Sequence, residues 1–91
     1  MRDKILLEVM LPATQGRYEF YVPLGLTVYQ GAQIISRMLE ARARPCYTHS
    51  DSCDLMLLEG GDAGELLDRE ATFGCLVAQD RLVPGMRLAL L

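Results

Sequence analysis

Residues Thr27 to Arg44, TVYQGAQIISRMLEARAR, are the one stretch of this 91-residue chain with a sustained helical period. At 100° per residue, Val28, Gly31, Ala32, Ile34, Ile35, Met38 and Leu39 fall within an arc of about 160°, and Gln30, Gln33, Ser36, Arg37, Glu40 and Arg44 lie opposite. That division predicts an amphipathic helix resting on an apolar surface. Thr27 suits the N-cap, and Gln30 stands three residues on as the return half of a capping box. Arg42 and Arg44 favour the negative end of the helix dipole, and Pro45 prevents continuation. Gly31 costs up to about 1 kcal/mol relative to alanine inside a helix. Its presence points to a close approach of helix to sheet in preference to a merely tolerated glycine.

The segments around the helix alternate as strands. In Lys4 to Leu11, Ile5, Leu7, Val9 and Leu11 share one face, and Glu8 marks the opposite face as the solvent side. PATQG, residues 12–16, makes a turn. Arg17 to Val22 follows, with Tyr18, Phe20 and Val22 inward and Arg17, Glu19 and Tyr21 outward. Pro23 and Gly25 end that strand. After the helix, 45–53 is a polar aperiodic loop, Asp54 to Glu59 a third strand, Glu59 to Gly64 a turn, and Glu65 to Asp68 a very short strand. Residues 69–82 are weakly helical, with Phe73, Leu76 and Val77 available to the core. Met86 to Leu91 is the last strand, with Leu88 and Leu90 on one face and Arg87, Ala89 and Leu91 on the other. A hairpin, a crossover helix and returning strands place the first and last strands side by side and parallel. The expectation is a single α+β domain over residues 1–91, a β-grasp. Its mixed sheet of four to five strands has the order 2-1-5-3 plus the short strand, and one helix crosses one face.

Composition narrows the function classes. Half the residues are apolar (51%), the charged share is 23% and the net charge is −3, so a folded domain is expected and the cationic footprint of a nucleic-acid binder is missing. No run is long enough to span a bilayer, and Glu8 interrupts the N-terminal apolar run where a signal peptide would be continuous. Three cysteines, an odd number, argue for reduced thiols and a cytoplasmic protein.

The chain resembles the ubiquitin superfamily in motif as well as in element order. Val22, Pro23, Thr27 and Val28 match the strand end, proline-containing link and capped helix start. Leu55 to Leu58, then EGGDAGELLD (59–68), Leu82, Pro84-Gly85 and Leu88-x-Leu90 match the later strands. The glycine-glycine tail of conjugated modifiers and sulfur carriers is not found after Leu90-Leu91, so that alternative is disfavoured, and a homodimeric regulatory module of another pathway stays open beside it. Among ubiquitin-like proteins of this length the chain most resembles the YukD/EsaB type of Gram-positive type VII (ESX-like) secretion systems. The resemblance implies a non-catalytic accessory or regulatory protein that makes non-covalent protein contacts, including contacts to membrane-bound secretion components, and needs no cofactor.

By alternation, Leu6, Met10, Met56, Leu58, Ala89 and Leu91 lie on the sheet face away from the helix. Two readings stay open: a contact surface for a partner protein or a second copy of the chain, and ordinary scattered surface apolars. Arg37, Arg42 and Arg44 read first as a solvated helix face and second as a docking patch for an acidic partner. Cys46, His49 and Cys53 form C-x2-H-x3-C. Structural zinc requires four ligands, and the remaining cysteine, Cys75, falls in an apolar stretch expected to be buried, so this is a weak metal candidate. Asp62, Glu65, Asp68 and Glu70 fit a solvated turn better than a calcium loop.

Overall fold

The computed structural model describes residues 3–12, 15–42 and 53–91. The elements are β1 (Lys4–Leu11), β2 (Gly16–Pro23), α1 (Val28–Arg42), β3 (Leu55–Leu57), α2 (Phe73–Ala78) and β4 (Met86–Leu90). The sheet order is β2-β1-β4-β3, with β1 antiparallel to β2, parallel to β4, and β3 antiparallel to β4. This is the order expected from the sequence, the last strand standing at the centre. The third strand is only three residues long, and the expected short strand shrinks to one bridge, Met56 to Leu66. Segment 64–67 nevertheless uses the outer main chain of β3: Leu57 N donates to Glu65 O at 2.9 Å and Leu67 N to Leu55 O at 2.9 Å.

The core lies between sheet and helices. Ile5, Leu7, Val9 and Leu11 of β1 are all buried, as are Phe20 and Val22, Leu55 and Leu57, and Leu88 and Leu90. Side chains two apart in a strand share a face, so alternation alone delivers this set.

Helix α1 begins as expected. Thr27 N donates to Gln30 Oε1 at 3.0 Å, and Gln30 N donates to Thr27 Oγ1 at 3.1 Å. The two bonds satisfy donors that a helix start otherwise leaves bare. The start of α2 is capped by Thr72, whose Oγ1 accepts from Cys75 N at 3.1 Å. The two starts also serve each other. Val28 N donates to Ala71 O and Tyr29 N to Arg69 O, while Phe73 N donates to Leu26 O and Gly74 N to Leu24 O, all at 3.0 Å or less.

The helix presents a different face to the core than its pattern predicts. Ile34 and Met38 are 48% and 42% exposed, and Ser36, expected among the solvated residues, is fully buried. The buried arc is turned about 50° from the expected one at 100° per residue. Two features explain the turn. Cys53 packs beside Ser36 and hydrogen-bonds with it, and its Sγ donates to Ala32 O at 3.5 Å, so a polar pair closes that flank. On the opposite flank the sheet ends at β2, and Ile34 and Met38 overhang its edge.

Gly31 marks a close approach, to a different element than expected. A Cβ built there would lie 2.4 Å from Phe73 Cε2 and 2.6 Å from Cζ, so it is α2, and not the sheet, that crowds this glycine. Phe73 is completely buried and has no free side to swing into. We expect Gly31→Ala to destabilise the fold by about 1–3 kcal/mol, the overpacking cost outweighing alanine's better helix propensity. Urea unfolding measures it. In a Phe73→Leu background the same change should cost much less, and equal costs in both backgrounds would refute the contact.

Candidate interaction surface

The sheet register arranges the outward side chains of the face away from the helices in rows. One row runs Arg17, Met10, Ala89, Met56, Leu66 across the whole sheet. The next runs Glu19, Glu8, Arg87, and Leu58 joins it through its N–H to Arg87 O at 3.1 Å. Beyond that row, Leu6 stands opposite Tyr21. Leu91 pairs with Asp54 by two main-chain bonds, of 2.9 and 3.2 Å, at the other end.

The six expected surface residues are therefore not one uninterrupted patch. Met10, Ala89 and Met56 are united in a single row, with Leu91 alongside. Leu6 is set apart by the charged row of Glu8, Glu19 and Arg87, and Leu58 stands within that row beside Arg87. Ala89 faces outward but is only 1% exposed, flanked in register by two longer methionines, so it forms the floor of the row and does not offer itself to a partner. Leu66, 52% exposed, completes the row. It belongs to the short strand expected over Glu65 to Asp68, for which the sequence pattern gives no face. Its alternation with buried Leu67 is the signal that would have found it.

The charges near this face are mostly tied down. Glu59 Oε2 accepts from Arg87 N at 2.7 Å and lies 3.5 Å from Arg87 Nε. Arg81 Nη2 donates to Glu65 Oε1 at 3.2 Å, and its buried Nε lies 3.4 Å from Asp62 Oδ2, an ion contact without hydrogen-bond alignment. Asp68 Oδ1 accepts from Glu70 N at 3.0 Å in a local turn. The acidic residues of segment 62–70 thus brace a turn. Arg69 approaches Asp54 to 3.4 Å and stacks 4.9 Å from the Tyr29 ring centroid.

Of the arginine patch, Arg37 is exposed, Arg42 lies over the Phe20 ring at 5.8 Å, and Arg44 is outside the described residues. Cys46 and His49 of the candidate metal motif also lie outside them. Cys53 is buried in the core and Cys75 is exposed, the reverse of the expected placing for Cys75. Among the described residues no three His, Cys, Asp or Glu side chains converge on a metal-sized site. No described helix is long and apolar enough to cross a membrane.

No family model and no curated protein matches the chain. Solved structures do. The ubiquitin-like domain of an Arabidopsis thaliana protein superposes with a TM-score of 0.62 at 16% identity, covering 97% of this chain and 76% of that one. The chain has a ubiquitin-like β-grasp fold. A chain of the toluene 4-monooxygenase HD complex superposes with a TM-score of 0.69 at 13% identity, covering 96% of this chain and 95% of that one. A chain of the ESX-5 inner membrane complex gives 0.72 at 14% identity; 98% of this chain is covered, and it spans about a fifth (21%) of that one.

Burial pushes the Cys53 thiol pKa up, with a smaller opposing effect from its hydrogen bond with Ser36. Thiolate is the reactive form, so both protection and chemistry slow Cys53. In the native protein, alkylation at neutral pH should label Cys75 and leave Cys53 unmodified until denaturant is added, as mapped by peptide mass spectrometry. Raising the pH to 9 should leave Cys53 still slow, because its titration lies above the ordinary thiol range. Prompt native labelling of Cys53 would refute its burial.

Proposed function

We propose that this chain is a non-catalytic ubiquitin-like binding protein, a cytoplasmic accessory or regulator of a Gram-positive type VII (ESX-like) secretion system. The observation that carries the binding reading is the row Met10, Ala89, Met56, Leu66. It is an apolar strip bounded on one side by charge, built on the rigid centre of the sheet, with two methionines whose flexible thioethers adapt to a partner. The link to secretion is supported by the motif resemblance to YukD/EsaB-type proteins. The likeness of fold to part of an ESX-5 inner membrane complex agrees with it. In this reading the partner is a protein of that membrane complex, contacted without covalent chemistry, and Arg37 and Arg42 provide a secondary contact for acidic side chains.

The proposal is tested with the tagged protein as bait on detergent-solubilised membranes from its source cell, scoring capture of an FtsK/SpoIIIE-type ATPase. Met56→Asp places a charge in the middle of the row and should reduce capture at least about tenfold, the scale of losing one central apolar contact. Val83→Asp, at an exposed position outside the row, should not. Capture unaffected by Met56→Asp rejects the sheet face. Failure to capture the ATPase at all, together with the absence of its gene and of small secreted helical-hairpin proteins nearby, rejects the secretion role.

A further inference from the structure

The sheet has two edges, and they are treated differently. The β3 edge is occupied by segment 64–67. The β2 edge is bare among the described residues. Its chemistry follows from the register. Leu24 N donates to Asp3 O at 2.7 Å, and Lys4 is paired with Pro23. Hydrogen-bonded and non-hydrogen-bonded pairs alternate in an antiparallel ladder, so Ile5–Val22, Leu7–Phe20 and Val9–Tyr18 exchange the bonds. The main-chain N–H and C=O groups of Arg17, Glu19 and Tyr21 therefore point away from β1 at the open edge. Gly85 N donating to Leu6 O at 2.8 Å agrees, since it shows Leu6 bonding toward β4 and not toward Tyr21. Such an edge is a template for another strand.

The side chains on that edge select which strand. Glu19 stands directly opposite Glu8 on β1, a like-charge pair in the closer, non-hydrogen-bonded kind of position, and Arg87 beyond Glu8 is engaged by Glu59. Such a pair is destabilising. Neither Glu19 nor Arg17 has an ion-pair partner among the described residues, although both are exposed. They lie two apart on one face of one strand, carry opposite signs, and flank Tyr18. An antiparallel copy of the same strand, with the two-fold axis at Tyr18, sets Arg17 of each chain opposite Glu19 of the other. Both pairs occupy hydrogen-bonded positions, so four main-chain bonds and two ion pairs form at once. The register two residues further along would set Glu19 against Glu19. An isologous contact needs this kind of self-complementarity. Ile34 and Met38 are exposed in a groove that they line with Glu19, Phe20 and Tyr21, next to the same edge.

We propose that the chain self-associates through β2, forming a two-fold dimer with a continuous eight-stranded sheet in which Arg17 of each copy pairs with Glu19 of the other. The outer sheet face and its apolar row stay open in this arrangement, so the dimer presents that face twice. The inference is independent of the secretion reading.

Sedimentation equilibrium of the purified chain, carried up to about 1 mM to reach weak association, tests it. The wild type should show a reversible monomer–dimer equilibrium. Arg17→Glu and Glu19→Arg each turn two attractions into two repulsions and should weaken dimerisation by about tenfold or more. Mixing these two single variants should restore a dimer containing one copy of each, because both cross-strand pairs are then attractive, and the double variant R17E/E19R should dimerise like the wild type. Circular dichroism and the urea midpoint, which Arg17→Glu should leave near the wild type and Glu19→Arg near or above it because the new guanidinium would face Glu8, separate loss of association from loss of fold. A wild type that stays monomeric at every concentration overturns the proposal. So does a dimer that neither single change weakens, or one that the mixture fails to restore.

Discussion

The contact between Phe73 and Gly31 is the constraint on which the rest of the molecule depends. A glycine on α1 lets the aromatic ring of α2 lie against the helix backbone, and the ring then fills the space a side chain would have taken. That contact sets how closely α1 and α2 approach each other. It is reinforced by the main-chain bonds that tie each helix start to the loop preceding the other. Two elements distant in sequence thereby become one layer that covers one side of the sheet.

From this cover follow the exposed features. Because α1 is held where it is, its Ile34–Met38 flank projects past β2, and the opposite flank closes on Cys53 through Ser36. Among the described residues, no second layer covers the face of the sheet away from the helices. Its outward side chains are then ordered by strand register alone, which yields an apolar row and a charged row side by side in place of a uniform patch. The same register leaves Glu19 beside Glu8 and exposes the polar main chain of β2 at the sheet edge.

The fold was legible because each of its signals is local. Alternation in KILLEVML sorted four core residues correctly, and the Thr27–Gln30 capping box formed as its spacing requires. The candidate surface was legible only by parity. Alternation assigns Ala89 to the outer face, but it cannot report that neighbouring methionines leave it 1% exposed. Nor could it warn that Glu8 and Arg87 meet across the strands and divide the face, since cross-strand neighbours come from register. The exchange of roles between Cys53 and Cys75 has the same origin: burial of a thiol depends on what packs over it, and a short polar stretch or an apolar one does not specify that.

By itself the amino-acid sequence determined the elements, their order, the parallel pairing of first and last strands and the inward faces of the strands, because periodicity and capping act over a few residues. Only the tertiary structure decided the rotation of α1, the partner of Gly31, the burial of Ser36 and the division of the outer face into rows. Each of these is settled by residues far apart in the chain competing for the same volume, and no local pattern records which of them wins.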